Sequence, residues 1–351
     1  MSRFFNSGLG GLEPYTPGEQ PRIQNLIKLN TNESPFPPSP KAIAAAREEA
    51  ARVNLYSDPE CTVAREALAE YLGADKNQVY AGNGSDEVFA FCFQAFCEKG
   101  AAFADLTYGF YPVYAQLYGI ETEIIPLRED FSLNAGNYLC GDKTVFIANP
   151  NSPTSLAVPL SDIEKIVSAN PDRLVVVDEA YVAFGAQSAL PLIEKYDNII
   201  VVGTLSKSHG LAGARLGYAV SNESLIDDIN RVKFSFNPYN VNRMTLAMTA
   251  TALKDTEYFE ACREKVISER ERVSDALRQL GFTVLDSKTN FVFASYEPIP
   301  AQIIYKKLRQ ANILVRWLDQ PRARDYLRIT IGTGEDMDKL IKALNQIIAN
   351  N

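Results

Sequence analysis

Asn198-Ile199-Ile200-Val201-Val202-Gly203, running directly into Thr204-Leu205-Ser206-Lys207-Ser208-His209-Gly210, is the stretch on which the fold turns. Its first half is a short, unbroken, β-branched apolar run, the pattern of a strand covered on both faces in a parallel sheet. The second half is small, hydroxylated and charged, with Arg215 eight residues beyond the lysine. In open α/β sheets, ligands sit outside the carboxyl ends of the strands. A lysine at that place is a candidate covalent nucleophile, although a solvent-facing lysine is the commoner fate of the residue type.

The same texture recurs outward from this point. Residues 101–104, 122–126, 144–148, 174–178 and 215–220 read as further strands, and 40–52, 61–72 and 86–97 have helical spacing. The 86–97 helix is apolar nearly all round and should be buried. The alternation predicts an α/β fold with a mostly parallel sheet between helices. Beyond residue 250 a long charged helix (254–280) leads into short strands and two more helices, the texture of an α+β unit. A chain of 351 residues exceeds what one core usually supports. The expected division is an arm over 1–35, a large domain over 36–250 and a small domain over 251–351.

Three more features fall beside predicted strands. Gly82-Asn83-Gly84-Ser85 lies between a short strand and the 86–97 helix. Such a loop either binds phosphate on its N–H groups or is a capped turn. Asp178 ends Leu174-Val175-Val176-Val177 and precedes Glu179-Ala180-Tyr181. It either faces a ligand cation or caps the next helix. Asn149-Pro150-Asn151-Ser152-Pro153-Thr154 is by itself a turn. Together, a phosphate-type loop, a carboxylate, a lysine and an arginine are expected at the carboxyl ends of strands in one sheet. Pyridoxal phosphate needs those four groups: donors and an arginine for its phosphate, a carboxylate for its ring nitrogen, a lysine for its aldehyde.

Composition narrows the alternatives. The net charge of −8, with no long block of one sign, argues against a nucleic-acid face. No run of eighteen apolar residues occurs, so no membrane span is expected. The start lacks the apolar core of a secretory leader. Five cysteines, an odd number without a C-x-x-C pair, suit a reducing, cytoplasmic setting. Cys92 and Cys97 read as small core hydrophobes. His209 is the sole histidine, so neither a His-rich metal site nor a serine triad is expected, and no metal is assigned.

The motifs resemble the histidinol-phosphate aminotransferase family of fold-type-I aminotransferases. The matching segments include LNTNESPFPPSP (29–40), LYSDPE (55–60), GNGSDE (82–87), LTYGFYPVY (106–114), VVDEAYVAF (176–184), TLSKSHGLAGARLGY (204–218), NPYNVN (237–242) and YLRITIGT (326–333). They stand in the family's order and cover most of the chain. The resemblance implies a large domain with a mostly parallel seven-stranded sheet, a smaller α+β C-terminal domain, and pyridoxal 5'-phosphate as cofactor. It implies that an amino donor and a 2-oxo acid react at sites shared within a homodimer.

By the same resemblance Lys207 holds the cofactor and moves the proton. Asp178 partners the ring nitrogen, Tyr181 the ring oxygen, and Tyr108 stacks on the ring. Gly84, Ser85, Ser206 and Arg215 attend the phosphate, joined by Tyr56 from the other subunit, and Asp86 is a further cofactor-binding residue. Tyr15, Asn32, Tyr239, Arg316 and Arg328 meet the substrate. Two departures stand out. The family's Asn-Pro-Thr-Gly is Ser152-Pro153-Thr154-Ser155 here, so either Asn151 or Ser152 serves the ring oxygen, and a serine replaces a turn glycine. Leu106-Thr107-Tyr108 also replaces the commoner Pro-Thr-Tyr.

Aromatic aminotransferases and threonine-phosphate decarboxylases use related sites. A nicotinamide-dependent dehydrogenase is the rival from another class. Gly82-x-Gly84 opens a helix and Asp105 follows 21 residues after Gly84, but Glu87 stands at the third glycine of the dinucleotide fingerprint.

Overall fold

Alternate residues of the apolar strands go to opposite faces of the sheet, and both faces are covered. In Val175–Asp178, Val175 and Val177 pack with Ile163 and Ile166 of the Leu160–Ser168 helix. Val176 joins Phe89, Phe93 and Phe146 on the other side. Ile199 and Val201 part from Ile200 and Val202 in the same way. This double burial is why the runs carry no polar alternation. The computed structural model describes residues 2–350.

The strands lie in the order Val79–Asn83, Leu216–Val220, Ile199–Thr204, Val175–Asp178, Thr144–Ala148, Ala101–Ala104, Thr122–Ile125. Six run parallel. Leu216–Val220 is antiparallel to both of its neighbours, with Leu216 opposite Asn83 and Gly217 opposite Thr204. One expectation is thereby corrected. Arg215 does not follow the carboxyl end of a strand; it precedes the amino end of the reversed one, which brings it to the same edge. Apolar texture carries no direction, so the reversal is invisible in the run itself.

The helix Gly84–Phe96 buries Val88, Phe89, Phe91, Cys92 and Phe93, as its all-round apolarity requires. The C-terminal unit is a four-stranded antiparallel sheet ordered Arg316–Trp317, Tyr326–Thr330, Phe291–Ser295, Thr283–Val284. The helices Thr256–Gln279, Ala301–Gln310 and Gly334–Ala349 share its core with Val292, Leu327, Leu340 and Leu344. The arm is stitched into this unit. Ile27–Lys28 pairs in parallel with Ile313–Leu314, and Leu29 joins the same core. The Arg243–Lys254 helix runs through residue 250, and the helical run is interrupted at Asp255, between it and Thr256–Gln279. No helix among the described residues is long and apolar enough to cross a membrane.

The reversed strand presses on the Gly84 loop. A Cβ at Gly217 would lie 2.2 Å from the Ser85 nitrogen and 2.3 Å from the Gly84 carbonyl carbon. Backbone cannot swing aside as a side chain can. Gly217→Ala is therefore expected to lose about 1–3 kcal/mol of stability, the usual range for overpacking, read as a lower urea midpoint; an unchanged midpoint would contradict the contact.

Candidate active site

The strand ends open into a pocket of about 530 Å³, bounded by the sheet edge, the C-terminal strands and residues 13–18 of the arm. Asp178 shares a strand face with Val176, the face on which Tyr111 is buried. The Tyr111 hydroxyl donates to Asp178 Oδ2 at 2.9 Å, and the Ala180 N–H donates to Oδ1 at 3.0 Å. One oxygen thus takes the local bond of a capping aspartate, and the other is held by a ring 67 residues earlier. Burial pushes the Asp178 carboxyl up to about 6, against the pull of both hydrogen bonds.

Lys207 sits on the four-residue helix Leu205–Ser208, capped by Thr204, whose Oγ1 accepts the Ser206 N–H at 3.1 Å. Its Nζ faces the pocket and donates to the Thr31 carbonyl at 3.2 Å. Burial, and then the charge of Arg328, bring its ammonium down to about 8. The neutral amine is accordingly within reach near neutral pH.

At the Gly84 end a helix terminus is left open. Asn83 makes no side-chain cap; its amide donates to the Asn240 carbonyl at 2.8 Å instead. The first-turn N–H groups of Gly84–Phe96 therefore present the positive end of the helix beside Ser85. Arg215, in the left-handed region at φ 60°, reaches Asp86 at 3.0 Å. Asp86 also receives the Tyr108 hydroxyl at 2.5 Å. Ser85, Asp86, Tyr108, Ser206 and Arg215 all line the pocket. Gly84 does not line it, but a Cβ there would lie 2.4 Å from Arg215 Nη2.

Across the pocket the Tyr181 hydroxyl accepts from Asn32 Nδ2 at 2.8 Å, and Asn32 Oδ1 accepts from Thr330 at 3.0 Å. Arg328 donates to the Asn30 carbonyl at 2.9 Å and Ser152 Oγ at 3.2 Å, leaving a buried Nε without a partner. Arg316 donates to the carbonyls of Thr16 and Pro17, and Tyr15 lines the same mouth.

Three expected residues stand elsewhere. Asn151 is turned into its own loop: its oxygen accepts from Thr107 at 2.8 Å and its nitrogen donates to Leu106 O and Thr154 Oγ1, each at 2.9 Å. Both of its N–H donors are thereby taken, and Ser152, not Asn151, lines the pocket. Ser155 keeps the left-handed turn, at φ 66°, where the family pattern has glycine. Tyr56 and Tyr239 stack on each other at 4.5 Å on the exposed surface, outside the pocket of this chain.

Tyr111, the Thr31 carbonyl and the bridging of the pocket by residues 13–18 were not legible in the sequence. A backbone acceptor leaves no residue signature, and Tyr111 resembles its apolar helix neighbours. His209 is a packing residue. It stacks on Phe259 at 4.2 Å, and burial lowers it to about 4, so it stays neutral. The dinucleotide reading loses Asp105, its ribose carboxylate, to an ion pair, while Glu87, which already broke the fingerprint, is spent inside its own turn. Glu87 accepts the Asn83 N–H at 2.7 Å, and Asp105 pairs with Arg322 at 2.9 Å.

Residues 24–344 match the aminotransferase class I and II family. The chain is 47% identical to a histidinol-phosphate aminotransferase of Clostridium acetobutylicum over 352 residues, 99% of this chain and 100% of the relative. It is 50% identical to the protein of that name from Marinomonas sp. over 353 residues, 99% of this chain and 100% of the relative. The crystal structure of histidinol-phosphate aminotransferase from Sinorhizobium meliloti, in complex with pyridoxal-5'-phosphate, has a TM-score of 0.90 at 26% identity, covering 100% of this chain and 99% of that one. The residues present fit that cofactor: an uncapped helix end and Arg215 suit a phosphate, a buried carboxylate suits a ring cation, and a lysine with a depressed pKa suits an aldehyde. Since the match runs through nearly the whole chain and the pocket has the chemistry the match requires, the chain belongs to the aminotransferase class I and II family, enzymes that work with pyridoxal phosphate.

Proposed function

We propose that this chain transfers the amino group of histidinol phosphate to 2-oxoglutarate, as a cytoplasmic homodimer with shared active sites. The observation that carries the chemistry is the convergence of Lys207 and Asp178 on one pocket, shifted toward each other in pKa. The substrate rests on 47% and 50% identity, over nearly the whole chain, to two histidinol-phosphate aminotransferases and on two arginines facing the pocket, Arg316 and Arg328.

Bound in the pocket, pyridoxal phosphate supplies an aldehyde that takes up the amino nitrogen and a ring that withdraws electrons from the adjacent carbon. Asp178 would keep the ring nitrogen protonated, through a charge attraction strengthened by exclusion of water. Tyr181 and Ser152 would serve the ring oxygen and Tyr108 would pack against the ring, all three lining the pocket. Ser85, Ser206, Arg215 and the helix end hold the phosphate. Lys207 would anchor the aldehyde, and its Nζ, neutral in part near pH 7, would be the group that holds and moves a proton at the substrate carbon. Arg328 takes the carboxylate of the acceptor and Arg316 the phosphate of the donor, each with a planar fork. Tyr56, 79% exposed in the single chain, is available to a neighbouring subunit, and Tyr239 stacks against it.

Lys207→Ala should fold normally, yet lose turnover and the visible, borohydride-sensitive chromophore. Retention of that chromophore would reject the lysine. In a panel of histidinol phosphate, phenylalanine and phosphothreonine against 2-oxoglutarate, the first should have the highest kcat/KM. Preference for phenylalanine, or carbon dioxide release from phosphothreonine, would replace the substrate.

Tyr111 bonds the ionised form of Asp178 and so holds its pKa below where burial alone would put it. Removing the hydroxyl raises that pKa, and the carboxylate is then lost at a higher pH as acid is added. In Tyr111→Phe the acid limb of the kcat/KM profile should move up by about one pH unit, roughly the worth of one hydrogen bond to a charged group. A shift toward acid would refute the coupling.

Sharing of the sites predicts complementation. Mixing inactive Lys207→Ala with an inactive Tyr56→Ala protein should restore part of the activity through hybrid sites. No recovery, with subunit exchange shown independently, would place Tyr56 outside catalysis.

A further inference from the structure

We propose that Glu19 is a positioning residue: it pins residues 13–18 across the pocket mouth and thereby aims Arg316 at its anion. This rests on the reading of Arg316 as the donor-phosphate residue.

The segment is held at both ends. On one side Tyr15 stacks on Phe110, ring centroids 4.3 Å apart, and the Glu13 N–H donates to Gln116 at 3.2 Å. On the other side one Glu19 oxygen accepts Arg309 Nη2 at 2.8 Å and Nε at 3.2 Å, while the second accepts the Tyr305 hydroxyl. Tyr305 and Arg309 lie four residues apart on Ala301–Gln310, so they share a helix face. Asn30 adds a bond to the Glu19 carbonyl at 2.9 Å. The two charged side chains are 41% and 49% exposed, which limits their strength and leaves the segment able to open for substrate.

Between the attachments stand the carbonyls of Thr16 and Pro17, which accept from Arg316 at 3.2 and 3.4 Å. Both bonds are long and their acceptors are neutral. Among the described residues no salt bridge joins Arg316 to a carboxylate. A guanidinium has five N–H donors, so two hold its plane against the segment and the others remain for an anion. With the latch gone the segment drops away, and Arg316 must be ordered anew each time an anion binds. Glu19 should therefore act on KM for a phosphate-bearing donor and leave proton transfer at Lys207 alone.

The molecule carries its own reporter. Trp317 is the single tryptophan of the chain, adjacent to Arg316, and its ring lies 6.4 Å from that of Tyr305. The test uses the holoenzyme: inorganic phosphate titrated against Trp317 emission, alongside steady-state kinetics with histidinol phosphate. Glu19→Ala should raise both KM and the phosphate midpoint about fivefold, as expected for an exposed ionic cluster at the strong end of its range, with kcat near that of the parent. Arg309→Ala should do the same, and the double variant should be no worse than either single one, since the three side chains act as one unit. Additive effects, or a fall in kcat matching the rise in KM, would overturn the proposal. Parental values in Glu19→Ala beside raised ones in Arg316→Ala would remove the latch and leave the arginine; parental values in both would remove the arginine's role as well.

Discussion

The site depends first on the reversal of Leu216–Val220. A parallel strand in that place would deliver its carboxyl end to the pocket edge and its entrance to the far side. Running backward, it delivers Arg215 at its entrance, between the exits of Val79–Asn83 and Ile199–Thr204. The uncapped helix end and the Lys207 turn thus meet a guanidinium that neither segment contains. The arrangement demands tight backbone contact, and small residues allow it. Gly217 lies against the Ser85 backbone, and Gly203 lies under Tyr218, whose hydroxyl would be 2.3 Å from any Cβ added there.

The second constraint is electrostatic. The carboxyl of Asp178 and the amine of Lys207 ordinarily differ by more than six pKa units. Burial works on them in opposite senses, up to about 6 and down to about 8. Desolvation penalises any charged form, so one enclosure yields both a carboxylate that survives neutral pH and an amine that is partly free there. Two hydrogen bonds restrain the rise of Asp178. Arg328 adds to the fall of Lys207, an effect that Glu33 and Asp86 oppose.

Much of this was legible in the sequence, for identifiable reasons. Doubly buried strands announce themselves by unbroken β-branched runs, and a strand end that turns at once into Thr204-Leu205-Ser206-Lys207 marks a ligand edge. What escaped was whatever depends on direction or on long-range pairing. Strand polarity hid the approach of Arg215. The partnership of Tyr111 with Asp178 spans 67 residues and leaves no spacing rule. That Asn151 bonds within its own loop while Ser152 lines the pocket depends on the positions of Thr107, Leu106 and Thr154. Tyr56 and Tyr239 show the opposite limit: the motif names them, and the single chain brings them to each other and not to the pocket.

On the proposed assignment, the two substrate arginines differ in the freedom their surroundings allow. Arg328 is fixed by the Asn30 carbonyl and Ser152, with its guanidinium carbon 5.4 Å from the Phe291 ring centroid. A rigid fork suits a planar carboxylate that must return to the same place in each cycle. Among the described residues, the hydrogen bonds of the Arg316 guanidinium go to two carbonyls of an exposed segment. An enzyme that accepts first a phosphate-bearing amine and then a dicarboxylate must accommodate anions of different size and shape at one mouth. Holding one arginine from the protein core and the other from an exposed segment meets both demands without rebuilding the pocket between half-reactions.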